Sequence, residues 1–88
     1  MSGNRTHILK YPVTIGDETV REVTLRRPTG ADLLILDEYR DRPMALTIEM
    51  IGRLSTNHLL LPATVKMLDA EDIAPLGEIA MNGIGNGP

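Results

Sequence analysis

Val23-Thr24-Leu25-Arg26-Arg27-Pro28-Thr29-Gly30-Ala31-Asp32-Leu33-Leu34 reads as a strand that a proline stops and a capped helix follows at once. Val23 and Leu25 alternate with polar neighbours, as on a half-buried strand. Pro28 has no N–H to give to a sheet ladder, so pairing ends there. Thr29 is a good N-cap, and Asp32 three residues later completes a shortened capping box. No catalytic motif elsewhere in the chain competes with this junction.

Upstream, His7 to Ile15 alternates with period two, placing Leu9, Tyr11, Val13 and Ile15 on one face and Lys10 and Thr14 on the other. Pro12 interrupts this strand, which predicts an edge position or a local bulge. Gly16-Asp17-Glu18-Thr19 has the chemistry of a turn, and Val20 to Arg27 returns as the second strand. An isolated two-stranded hairpin is marginal in water, so its apolar face needs the helices that follow.

Downstream, the pattern predicts a helix over Gly30 to Arg40, ended by Pro43, which then opens a second helix to about Leu54. A proline fits a first helical position because its missing N–H would be unpaired there. At about 100° per residue, Met44, Ile48 and Ile51 form one stripe of that helix and Leu46, Met50 and Leu54 an adjacent one. Together they cover roughly 200° of arc, twice the ~100° of an ordinary surface helix. Only Glu49, Gly52 and Arg53 define a polar side, so this helix is expected to touch something beyond its own hairpin. After a polar connection (Ser55 to His58), Pro62 opens a short helix through Leu68, although Leu61 is a poor cap. Asp69-Ala70-Glu71-Asp72 then starts a last helix to about Met81. With Asp69 as the cap, Pro75 lies past the first turn and kinks the helix. With Asp72 as the cap, Pro75 sits in the first turn at little cost. The first arrangement is preferred.

The expectation is therefore an α+β domain over residues 1–82: an N-terminal two-stranded antiparallel β-hairpin followed by a bundle of three to four short helices. A flexible C-terminal tail covers residues 83–88. The expected core holds Leu9, Val13, Val23, Leu25, Ile35, Leu36, Ile48 and Ile51.

Composition narrows the function. The 88 residues include two Tyr, no Phe, no Trp and no Cys. The core must come from Leu, Ile, Val and Met, with no disulfide or thiolate metal site to reinforce it. A domain this small is marginal alone, and the wide apolar arc of the second helix points to self-association. Twelve acidic against nine basic residues, a net charge of −3, argue against a nucleic-acid binder. No run approaches the ~18 apolar residues of a membrane span, and the polar Met1–Thr6 stretch lacks the apolar run of a signal peptide. The chain reads as cytoplasmic. His7 and His58 fall in no ligand-like spacing. Asp32, Asp69 and Asp72 sit where helix starts favour negative charge, so capping explains them without catalysis. No enzyme, cofactor, metal site or small-molecule substrate emerges. Lys10, Arg21, Arg26 and Arg27 read as a solvated basic face of the hairpin. Met44, Met50, Met67 and Met81 read as core fillers in preference to an adaptable binding surface of flexible thioethers, with Met50 the first candidate for that surface.

The order of hairpin, Leu25-Arg26-Arg27-Pro28-Thr29-Gly30-Ala31-Asp32-Leu33, and helices ending in Leu68-Asp69-Ala70-Glu71-Asp72-Ile73 resembles the E-type tail assembly chaperones of contractile-tailed phages. The likeness spans about residues 8 to 82 and includes Pro12-Val13 and the turn centred on Gly16. It implies a non-enzymatic protein that binds the long tape-measure protein and keeps it soluble while tail-tube subunits assemble around it. Pro75 and the uncapped Leu61 depart from the usual pattern. The residues expected to touch the partner are Leu46, Met50 and Leu54, with Leu59 and Leu60 beside them. Two other classes fit the composition: a small intracellular adaptor or antitoxin-like module, and a structural tail or baseplate component.

Overall fold

The computed structural model describes residues 4–85. Strands β1 (Arg5–Ile15) and β2 (Glu18–Leu25) are followed by helices α1 (Gly30–Leu33), α2 (Ile35–Glu38), α3 (Pro43–Leu54), α4 (Pro62–Val65) and α5 (Ala70–Gly85). This is the α+β order that the hydropathy pattern predicts. The strands form a two-stranded antiparallel sheet closed by a turn at Gly16, whose φ of 64° is the left-handed conformation glycine adopts without strain.

The sheet is not regular. Pairing runs from Arg5↔Leu25 to Ile8↔Glu22 and resumes at Val13↔Val20. Between them four residues of β1, 9 to 12, stand opposite Arg21 alone. Pro12 lies in this bulge, as a residue without an N–H requires. The bulge also breaks the simple alternation: Leu9 is buried and Val13 and Ile15 are half-buried, but Tyr11, expected on the same face, is exposed.

Strand β2 ends at Leu25 rather than Arg27 because the chain from the end of α3 takes over its hydrogen bonds. Arg26 donates its N–H to Leu54 O at 2.9 Å, and Thr56 donates to Thr24 O at 2.9 Å. The hairpin is thereby stitched to the C-terminal end of α3.

The helix expected over Gly30 to Arg40 is two single turns, broken at Leu34. Leu33, Leu34, Ile35 and Leu36 cannot all face inward from one regular helix. The break lets Ile35 enter the core while Leu33 and Leu34 stay exposed, and Leu36 is only half-buried instead of a core residue. Helix α3 has the expected bounds, with Pro43 at its first position. Helix α4 is one turn and stops at Val65, short of Leu68. Its start is served from within: Thr64 Oγ1 accepts the Leu61 N–H at 2.8 Å and donates to Leu59 O at 2.7 Å, which offsets the poor cap at Leu61. Asp69 caps α5 by accepting the Glu71 N–H at 2.9 Å. Pro75 lies inside that helix, which continues to Gly85. Of the tail expected over 83–88, the first three residues extend α5, and 86–88 lie outside the described residues.

Leu9, Val23, Leu25, Ile35 and Ile51 are in the core as expected, with Val13 and Ile48 half-buried against it. The α3 residues Met50 and Leu54 join them, as do Leu60, Val65, Ile73 and Leu76. Gly52 is where α3 meets the start of α4: a Cβ there would lie 2.4 Å from Pro62 N, so only glycine allows this backbone approach.

Candidate partner-binding groove

Two buried carboxylates fix the helices that build the groove. Asp32, third residue of α1, is 1% exposed and accepts four kinds of donor. Arg26 grips it bidentately at 2.8 and 3.1 Å, Arg53 Nε reaches it from α3 at 2.9 Å, the Thr29 N–H donates at 2.7 Å and the Thr29 hydroxyl at 3.2 Å. The Arg26 guanidinium, the Thr29 amide and Arg53 hold its carboxyl well below the ordinary range despite burial. Arg26 is raised in turn by its hydrogen bond to Asp32. Arg26 is therefore not part of a solvated basic face; it joins β2, α1 and α3.

Asp72 does the same for β1 and α5. It is fully buried, and its two oxygens accept the backbone N–H groups of Lys10 at 2.7 Å and Tyr11 at 3.0 Å, which the β1 bulge frees from the ladder. His7 Nε2 lies 3.1 Å from the same carboxylate. Burial pushes the Asp72 carboxyl up, but the Lys10 amide, His7 and the Tyr11 amide outweigh it and hold the pKa below its ordinary value. At the surface, Lys10 Nζ pairs with Glu71 at 2.7 Å. Both acids stand at capping positions, but their main partners come from other elements, and for these the sequence carries no local signal.

Held this way, α3 and α5 pack closely. A Cβ on Gly77 would lie 2.7 Å from Thr47 Cγ2. Along this contact runs a groove of about 700 Å³ whose wall includes Met44, Ile48, Leu68, Ile73, Ala74 and Met81, with Lys66 and Glu78 as its charged residues. An adjoining depression of about 490 Å³ shares Met44, Ile48 and Lys66 and continues over Tyr39, Ala45, Pro62 and Ala63. Met44 is 65% exposed. The wall offers apolar, flexible surface with few polar groups, suited to the apolar face of a helix. Among the described residues no group of His, Cys, Asp or Glu is placed to hold a metal ion, and no helix is long and apolar enough to cross a membrane.

The five residues expected to touch a partner lie elsewhere. Met50 is fully buried, and Leu54 and Leu60 are 1% exposed, so in this conformation they belong to the chain's own core. Leu46 and Leu59 are half-buried against that core. None of the five lines the groove or its neighbour. The expectation for the methionines changes at three of four: Met50 is a core filler and Met44 and Met67 are exposed, whereas Met81 packs partly against the core as expected and also lines the groove. The wide apolar arc of α3 is real, but Met50 and Leu54 on it are buried in the core, and Met44 and Ile48 line the groove. The Arg53 Nε contact to Asp32 at 2.9 Å fixes which way the helix is turned.

A family model described as phage tail assembly chaperone proteins, E, or 41 or 14, matches residues 6–83. No curated protein and no solved structure matches the chain.

Proposed function

Because the chain belongs to the phage tail assembly chaperone family, we propose that it binds the tape-measure protein in the host cytoplasm and keeps it soluble until the tail tube forms around it. The observation that carries this reading is the methionine-lined groove between α3 and α5. A long unassembled helical protein exposes adhesive apolar stripes. A groove walled by Met44, Ile48 and Met81 accepts such a stripe through flexible thioethers and branched carbons, without demanding one sequence. The role is non-covalent binding, with no catalytic step. Self-association belongs to the same reading, because an aromatic-poor domain of 88 residues gains stability by covering leftover apolar surface.

The test is co-expression with the tape-measure protein encoded in the same genome. The proposal expects soluble tape measure that co-purifies with this chain. Tape measure that stays insoluble and does not co-purify contradicts it.

A further inference from the structure

We propose that the α3–α5 groove is covered, when no tail partner is present, by the same groove of a second copy related by a two-fold axis, with Lys66 of each copy paired to Glu78 of the other. The inference takes self-association from the reading above and gives it a surface and a symmetry. In a two-fold interface a residue that meets a second residue is met by that same residue from the other side. A patch that brings one cation and one anion to its wall is then complementary to itself. The groove is such a patch: Lys66 and Glu78 line it, both are exposed, and among the described residues neither has an ion pair or a side-chain hydrogen bond within the chain. The other acids on α3 and α5, and the one that caps α5, are engaged, Asp72 by β1. Glu49 in the adjoining depression accepts the Tyr39 hydroxyl at 3.5 Å, Glu71 holds Lys10, and Asp69 caps α5. The apolar part of the wall, with Met44 65% exposed, supplies area that two charge pairs alone would not.

Sedimentation equilibrium of the full chain tests this with Lys66→Glu, Glu78→Lys and the double exchange. Wild type is expected to be a dimer at micromolar concentration that loosens as salt is raised, because exposed pairs are screened. Each single reversal acts twice in a two-fold interface and should weaken the dimer roughly tenfold or more, while the double exchange restores it to within about threefold. Circular dichroism should be unchanged throughout, since both side chains are exposed. A monomeric wild type overturns both the self-association and the surface. A dimer that ignores salt and the single reversals, or a double exchange as weak as the singles, leaves self-association standing and overturns the surface. Neither result bears on whether tape measure co-purifies.

Discussion

Asp72 on α5 accepts the backbone N–H of Lys10 on β1 at 2.7 Å across 62 residues of sequence. The bulge that frees this amide and the carboxylate that receives it depend on each other. Without Asp72 the Lys10 and Tyr11 amides would be left without their acceptor; without the bulge a buried charge would have lost two donors.

Replacing Asp72 with Ala should therefore destabilise the domain by about 3 kcal/mol or more, because two backbone donors lose their charged acceptor. Asp72→Asn keeps one acceptor oxygen and should lose less, about 1–2 kcal/mol. Urea unfolding followed by circular dichroism measures both. Equal stability of Asp72→Ala and wild type would show that the contact does not hold α5 to the hairpin.

Acid should unfold the protein through the same groups. Asp32 and Asp72 are both held below the ordinary carboxyl value of 3.8, so as the pH falls the unfolded chain takes up protons first. Stability that is fully present at neutral pH should be lost progressively below about pH 4. Urea midpoints between pH 7 and pH 2.5 should trace that decline, and Asp32→Asn and Asp72→Asn should each flatten it relative to wild type.

Gly52→Ala should cost about 1–3 kcal/mol through overpacking, because its Cβ would meet the Pro62 backbone at 2.4 Å. Gly30→Ala, with nothing within 4 Å of the added carbon, should stay within about 0.5 kcal/mol. Thermal melts of the two variants side by side check the contrast.

The hairpin and α3 were legible because their signals are local. Alternation marks the strands, Pro12 the bulge, and Pro43 the first turn of α3. What stayed hidden depends on partners far away in sequence. A capping-position aspartate looks the same whether it faces water or takes the Lys10 amide, and four apolar residues at 33–36 do not say where a helix breaks. The groove was half legible. The apolar arc of α3 is wider than one interface needs, but periodicity alone cannot tell which side of a wholly apolar arc faces the core. Only the Arg53–Asp32 contact at 2.9 Å breaks that tie, and it joins residues 21 apart.

That tie has a direct consequence for mutagenesis. Met50→Asp places an unpaired charge in the core and should unfold the domain. Met44→Asp places one on an exposed groove wall and should leave the circular-dichroism spectrum unchanged while abolishing co-purification of tape measure. A folded Met50→Asp variant would put Met50 back at the surface.

The methionines make the most direct test of the groove as the binding site. With 13C-labelled methionine methyl groups, NMR gives separate signals for Met44, Met50 and Met81, which lie on the groove wall, in the core and on the groove wall respectively. On adding a soluble tape-measure segment, the Met44 and Met81 signals should shift or broaden while Met50 stays nearly in place. A complex that forms with Met44 and Met81 unmoved would contradict the groove as the place where the chaperone holds its partner.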